Sequence, residues 1–92
     1  MEISYDPNKA ASNKHKHGIS FEEAKTALFD EYALVREDFD NIEQRFVLLG
    51  MSAKLRLLVV VYAIWDENQE VIRLISARLA TAKEEKAYGN RI

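Results

Sequence analysis

The sequence predicts an α+β domain, with N-terminal helices, an antiparallel sheet of three or four strands and a short C-terminal helix. All helices are expected on one face of this sheet. Three observations support this prediction. The first 30 residues contain two helix-start motifs, apolar side chains in residues 34–79 recur with a period of two, and a third helix-start motif follows. The chain of 92 residues allows one domain with a single small core, over residues 1–92.

A short edge strand is predicted at residues 3–5, followed by a first helix. Asp6 followed by Pro7 is a typical helix start, because Asp caps the first turn and the φ angle of Pro already suits a helix. This helix is predicted over residues 7–16. Gly18 then supplies the left-handed residue with which many helices end.

A second helix is predicted over residues 21–29. Ser20 and Glu23 form a capping box, in which the Ser20 hydroxyl accepts a hydrogen bond from the Glu23 amide and the Glu23 carboxylate reaches back. The helical spacing places Phe21 and Leu28 on one face, toward the core.

Four strands and a last helix follow, and polar turns at 50–54 and 66–69 separate the later strands. The strands are predicted over residues 34–37, 45–49, 55–65 and 71–78. Thr81 and Glu84 form another capping box, which starts a short helix that carries Tyr88. The aromatic side chains predicted in the core or at an interface are Phe21, Phe29, Phe46 and Trp65.

The composition excludes several classes of protein. The chain has no Cys, so neither a disulfide framework nor a thiolate metal site is possible. The N-terminus lacks the basic and apolar regions of a signal peptide. The longest apolar run, residues 57–65, is far shorter than the roughly 20 residues of a membrane-spanning helix. We therefore expect a cytoplasmic protein with no membrane partner.

The formal net charge of −2 argues against a nucleic-acid binder, but the charges are unevenly distributed. Residues 22–44 carry eight acidic and two basic side chains. The segments 45–65 and 71–82, which contain the later strands, carry five basic side chains and no acidic one. The distribution of charge therefore permits a nucleic-acid partner that the total does not indicate.

Arginine side chains on the predicted sheet have two interpretations. They can form a phosphate-binding surface, because the planar guanidinium matches phosphate oxygens and stays protonated. Each Arg can also extend from the end of a strand and pair with a nearby acid. For Arg45, Arg56 and Arg78 together, the sequence leaves both interpretations open.

Both histidines lie in the basic segment 14–18. Histidine exchanges protons near neutral pH, and the helix dipole also stabilises an imidazolium at the end of a helix. The dipole suffices to explain His15, whereas His17 is the better candidate for proton transfer. Two histidines at this spacing point to different sides of a helix and no third ligand follows, so we expect no metal site.

An ordered set of short segments extends over residues 3–88, nearly the whole chain. Its members are Tyr5-Asp6, Lys9, Asn13, KHGISFEEA at 16–24, EQRF at 43–46, GMS at 50–52, RLLVV at 56–60, ISAR at 75–78, and Glu85 to Tyr88. Together they resemble the BrnT-type toxins, which are small prokaryotic ribonuclease toxins of type II toxin–antitoxin systems. Tyr5 stands where the family more often has Trp, which exchanges one aromatic residue for another.

The resemblance implies a RelE-like fold and an endoribonuclease that cleaves RNA without a metal or other cofactor and arrests growth. It also implies neutralisation by a BrnA-like antitoxin with a ribbon-helix-helix part, through which the complex binds DNA only indirectly. The alternative is a non-catalytic protein-interaction or RNA-binding module that pairs with a DNA-binding antitoxin.

The mechanism of such an enzyme, together with the residues above, predicts a set of site residues, of which Arg56 and Arg78 rest on the resemblance to the sheet arginines of RelE-like toxins. Metal-free cleavage uses the RNA 2′-hydroxyl as nucleophile, so the enzyme must transfer protons and stabilise a dianionic phosphorane. The expected catalytic residues are His17 for proton transfer, Arg56 and Arg78 for the phosphate, and Tyr88 for orienting the substrate. The expected substrate-binding residues are Lys9, Lys16 and Arg45.

Overall fold

Eight helices and strands make up the part of the chain that the structure, a computed structural model, describes: residues 2–39, 43–64, 68 and 71–90. They are β1 (Glu2–Ser4), α1 (Pro7–His17), α2 (Phe21–Ala27), β2 (Leu34–Asp38), β3 (Arg45–Met51), β4 (Leu57–Ile64), β5 (Val71–Leu79) and α3 (Ala82–Gly89). The predicted α+β class and the order of the elements are confirmed. No helix within these residues is long and apolar enough to cross a membrane.

The sheet is larger than predicted. Its five strands lie in the order β1–β5–β4–β3–β2. Strands β2 to β5 form an antiparallel meander, and β1 adds a strand parallel to β5 through pairs such as Ile3 with Ile72. The prediction of three or four antiparallel strands was wrong in this respect. Strand β1 is only three residues long and pairs with the far end of the chain, so no local pattern reveals its partner.

Helices α1 and α2 cover one face of the sheet and form the core with it. Ile19 and Phe21, at the start of α2, are fully buried against Leu58, Val60 and Leu74. Burying one side chain of this size stabilises the fold by about 1.5–3 kcal/mol. The prediction of Phe21 as a core residue is confirmed.

Helix α3 lies on the opposite face of the sheet. Leu49, Val59 and Arg78 pair in register across β3, β4 and β5, on the face that the core does not use. Glu84 of α3 lies beside this row. The prediction that all helices share one face was therefore wrong. A contact between Tyr88 and the turn that follows α2 fixes α3 there, and local sequence patterns do not show such a contact.

The predicted core aromatics differ in their surroundings. Phe46 is half-buried and stacks on Tyr62, with ring centroids 5.4 Å apart. Phe29 is 66% exposed and does not belong to the core of this chain, because α2 ends before it at Ala27. Trp65 and most of the predicted turn at 66–69 lie outside the described residues.

At the outer edge of β5, the side-chain amide of Asn13 makes the backbone hydrogen bonds that a neighbouring strand would otherwise make. Strand β1 pairs with β5 only over Val71–Arg73, and Asn13 of α1 bonds to the backbone beyond this point. Its Oδ1 accepts a hydrogen bond from the Ala77 amide at 3.0 Å, and its Nδ2 donates to the carbonyls of Ala77 at 2.8 Å and Ile19 at 2.9 Å. Asn13 is only 6% exposed, so these bonds satisfy backbone groups that water cannot reach.

Replacing Asn13 should test this attachment of α1. Asn13→Ala leaves the Ala77 amide and two carbonyls buried without partners, which should lower the free energy of unfolding by about 1–3 kcal/mol. Urea denaturation followed by circular dichroism measures the change. Asn8→Ala, at an exposed position of the same helix, should stay within about 0.5 kcal/mol of wild type. Equal stability of the two variants would contradict the role of Asn13.

Candidate functional site

An open groove of about 480 Å³ crosses the sheet face that α1 and α2 leave uncovered. Each strand of the antiparallel meander contributes to it, and α3 contributes an acidic side chain. Its lining includes Leu34, Arg36, Val47, Val59, Arg78 and Glu84. The groove therefore combines an apolar floor with two arginines, and only one of the seven predicted site residues, Arg78, lines it.

Arg78 and Glu84 form a bidentate ion pair in this groove. Nη1 donates to Oε1 at 2.9 Å and Nη2 donates to Oε2 at 3.0 Å. Glu84 also accepts a hydrogen bond from the Thr81 amide, so the capping box predicted for α3 is confirmed. The bonds from Arg78, followed by that from Thr81, lower the pKa of Glu84 to about 2. The carboxylate therefore stays ionised at neutral pH.

Three of the predicted residues lie together at the edge of the sheet. Lys9, Lys16 and His17 of α1 line a second, smaller groove with Ser12 and with Ser76 of β5. Positions 9, 12 and 16 follow the spacing of one helix face, which is the face turned toward β5. All three basic side chains are exposed.

Strand β5 connects the two grooves. Ser76 and Arg78 pair with Val61 and Val59, and they lie two positions apart on the same face of the sheet. Two residues of a strand span about 7 Å. The structure thus places the basic face of α1 and the Arg78 groove on adjoining parts of one surface.

Arg56 lies on the other side of the sheet, against α2. Its Nε donates to Glu23 Oε2 at 2.9 Å, its Nη2 donates to Oε1, and Ser52 donates to Oε2 at 2.7 Å. The bonds from Arg56 lower the pKa of the buried Glu23 carboxylate. Arg56 thus pairs with an acid, as Arg45 and Arg78 also do, and the structure separates it from Arg78.

This pair also corrects the capping box predicted for α2. The Ser20 hydroxyl accepts a hydrogen bond from the Glu23 amide at 3.0 Å, as predicted. The Glu23 carboxylate does not reach back to Ser20, so that half of the prediction was wrong. It turns toward the sheet because Arg56 and Ser52 offer it three hydrogen bonds there.

Arg45 lies at the other end of the open face. It begins β3 four residues before Leu49, which lies in the row of Arg78, so the two arginines are about 13 Å apart along the strands. Arg45 donates to Glu43 at 3.0 Å, and Arg73 pairs with the same carboxylate at 2.7 Å. Arg45 therefore belongs to a separate charged cluster on the same face.

Tyr88 is engaged in a hydrogen bond inside the protein. Its hydroxyl donates to Asp30 at 2.6 Å, and Asp30 also accepts bonds from the amides of Met51 and Tyr32. Tyr88 is 8% exposed, and the bond to Asp30 raises its pKa to about 12. This contact fastens α3 to the turn that follows α2 and, through the Met51 amide, to β3.

Two residues of the main groove, Arg36 and Glu84, are absent from the predicted site. Arg36 falls within the acidic segment 22–44, whose total charge conceals it. The alternation of β2 would place it on the same face as Leu34. The sequence assigns Glu84 only to the helix cap. Within the described ranges, no group of three or more His, Asp or Glu side chains is arranged to hold a metal ion.

Comparisons with known proteins define the class of this molecule as a toxin of a type II toxin–antitoxin system. A family model described as ribonuclease toxin, BrnT, of type II toxin-antitoxin system matches residues 5–84, so the chain belongs to the BrnT family. A comparison with curated proteins gave no significant match.

The fold is similar to the 1.1 Å crystal structure of the ribonuclease toxin BrnT from Brucella abortus. The TM-score is 0.65, with 88% of this chain and 97% of that chain covered, at 23% sequence identity. The family predicted from the sequence is thereby confirmed.

The ion pair with Glu23 predicts a pH-dependent effect for Arg56→Met. The variant leaves a buried carboxylate without its counterion, which should cost about 2–3 kcal/mol at pH 7, since Arg56 is partly exposed. In wild type the lowered pKa of Glu23 contributes stability above its ordinary value of 4.5, and this contribution is lost as the pH falls. In the variant, the lowering of the Glu23 pKa by Arg56 is lost while burial still acts to raise it, so the stability deficit should shrink on acidification.

Urea denaturation of both proteins at pH 7 and pH 4.5 measures this difference. Lys83→Met, which removes an exposed cation that is not among the charges lowering the pKa of Glu23, is the control and should stay close to wild type at both pH values. A deficit in Arg56→Met that is the same at both pH values would contradict the assigned pairing.

Proposed function

We propose that this protein is the toxin of a type II toxin–antitoxin pair and that it cleaves RNA at the open groove without a metal ion. Cleavage of RNA in the cytoplasm would arrest growth. A cognate BrnA-like antitoxin with a ribbon-helix-helix part would neutralise the toxin. The antitoxin would also supply the DNA-binding part of the complex. The observation that carries the proposal is the position of Arg78 in an open groove of a ribonuclease toxin family member.

The composition of the groove supports RNA as its ligand. Arg36 and Arg78 supply two cations for backbone phosphates, and Val47 and Val59 supply an apolar floor for bases or riboses. The basic face of α1 adjoins this groove at β5, which extends the positive charge along the path of a strand. The acidic total charge of the chain does not oppose this mode of binding, because Glu84 is the one acidic side chain among the described residues that line the groove.

The chemistry proposed for the groove uses RNA itself as the nucleophile. The 2′-hydroxyl loses a proton and attacks the adjacent phosphorus, the bond from phosphorus to the 5′-oxygen breaks, and that oxygen gains a proton. The products are a 2′,3′-cyclic phosphate and a 5′-hydroxyl. We assign proton transfer to His17, stabilisation of the phosphorane charge to Arg78, and attraction of the backbone to Lys9 and Lys16.

The remaining predicted residues receive different roles in this proposal. Arg45, at the far end of the open face, binds the RNA backbone. Arg56 and Tyr88 support the fold, because their polar groups are engaged with the carboxylates of Glu23 and Asp30.

Growth of bacteria separates the toxin from the alternative functions. Induction of this chain alone should stop growth and degrade RNA, and co-expression of the adjacent gene product should restore both. Absence of arrest with formation of a stable complex would favour a non-catalytic interaction module. Salt-sensitive RNA binding that leaves RNA intact would favour an RNA-binding module.

Arg78 should be required for cleavage by the purified protein. Arg78→Ala should lower the rate on single-stranded RNA by about 10²–10³, because it removes a donor to the developing charge. Arg78→Lys keeps the charge without the planar fork and should also be impaired. Circular dichroism must show that both variants are folded.

The matched control is Lys54→Ala, which removes an exposed cation from the β3–β4 turn and should cleave at the wild-type rate. Addition of a metal chelator should leave the wild-type rate unchanged, and a 2′-deoxy substitution at the cleaved position should block the reaction. Wild-type activity in a folded Arg78→Ala variant would disprove the assigned role.

A further inference from the structure

We infer that Glu84 is a positioning residue, which holds Arg78 so that one edge of its guanidinium is presented to a phosphate in the groove. This inference rests on the proposed function, because it takes the ligand of Arg78 to be a phosphate of the RNA backbone. It adds to the site a residue for which the sequence indicates only a helix-capping role.

The hydrogen bonds of Arg78 leave a particular pair of donors available. A guanidinium has five N–H donors. Nη1 donates to Glu84 at 2.9 Å and to the Leu79 carbonyl at 3.1 Å, and Nη2 donates once to Glu84 at 3.0 Å. The Nε donor and the second Nη2 donor remain, and no described residue accepts a hydrogen bond from either.

These two remaining donors suit a phosphate. They point in parallel along one edge of the planar group, which matches two oxygens of a single phosphate. The Arg78 side chain is 42% exposed and lines the open groove. Glu84 binds the edge formed by Nη1 and Nη2, which leaves the Nε and Nη2 edge for a ligand.

Glu84 is itself held in place, which gives it the rigidity that a positioning residue needs. Its Oε1 accepts a hydrogen bond from the Thr81 amide at 2.8 Å, at the first turn of α3. Helix α3 is fixed in turn by the bond from Tyr88 to Asp30. An Arg held in this way loses less side-chain freedom when it binds a ligand than a flexible one does.

The test compares Glu84→Gln, Arg78→Ala and the double variant in RNA cleavage. Glu84→Gln keeps the shape of the side chain but breaks the bidentate pair, so kcat should fall about 10- to 100-fold while KM stays within about threefold. Because Glu84 acts through Arg78, the double variant should be no slower than Arg78→Ala alone. A Glu84→Gln variant that is as fast as wild type, or faster, would overturn the inference.

Thr81→Ala separates positioning from helix capping. It removes the hydroxyl that caps α3 but leaves the Thr81 backbone amide, the Glu84 carboxylate and Arg78 in place. It should therefore lower the melting temperature as Glu84→Gln does, while kcat stays at the wild-type value. A loss of kcat in Thr81→Ala as large as that in Glu84→Gln would reduce Glu84 to a capping residue and overturn the inference.

A measurement without cleavage distinguishes failure of this inference from failure of the proposed function. In ¹⁵N relaxation experiments the Nε–H group of Arg78 should be rigid in wild type and mobile in Glu84→Gln. A short 2′-deoxy oligonucleotide, which has phosphates but cannot be cleaved, should shift this resonance in wild type more than in the variant. Equal mobility of the Nε–H group in the two proteins, or equal shifts of its resonance, would overturn the role of Glu84. If mobility and shifts differ as expected but wild type does not cleave RNA, only the ribonuclease proposal is rejected.

Discussion

The architecture depends on satisfying the outer edge of β5. Strand β1 covers only the first three residues of that edge, and the buried backbone of Ala77 then needs another partner. The amide of Asn13 supplies it, and the same side chain also binds the Ile19 carbonyl between α1 and α2. Because α1 must approach this edge, its basic residues Lys9 and Lys16 are brought beside β5. The need of the buried Ala77 backbone for hydrogen-bond partners therefore decides where the basic side chains of α1 lie.

The register of the strands decides the surroundings of each arginine. Residue 58 pairs with Leu79 on the core face, whereas Val59 pairs with Arg78 on the open face. Arg56 precedes β4 and turns toward α2, where Glu23 binds it, so two arginines of similar sequence context reach opposite sides of the sheet. A shift of one residue in register would exchange the two faces, and hydrophobic alternation alone does not fix which face receives the helices.

Local signals in the sequence predicted most of the secondary structure. Asp6, Gly18, Ser20 and Thr81 mark helix ends through contacts within a few residues, and the structure contains each of those ends. The features that sequence patterns missed are non-local. The pairing of β1, the position of α3 and the attachment of Arg56 to Glu23 each depend on segments that are distant in the chain.

The lining of the groove divides in the same way between local and non-local information. The family resemblance predicted Arg78 as a site residue. No sequence pattern shows that the Glu84 carboxylate also binds Arg78, because the helix cap alone is enough to explain a Glu at this position. Arg36 was concealed by the acids around it in the sequence, although the strand turns it toward the groove. The total charge of a segment does not show that neighbouring residues of a strand point to opposite faces of the sheet.

The bond between Asn13 and Ala77 also bears on the synthesis of the protein. The ribosome releases α1 well before β5, yet the backbone that α1 fastens belongs to β5, so the helix stays without its partner until that strand has emerged. Such distant contacts also slow folding, because the intervening chain must be closed into a loop before they form. Incomplete chains therefore lack both the fastened helix and the pair of Arg78 with Glu84. The activity proposed for this surface can exist only after β5 and α3 have left the ribosome.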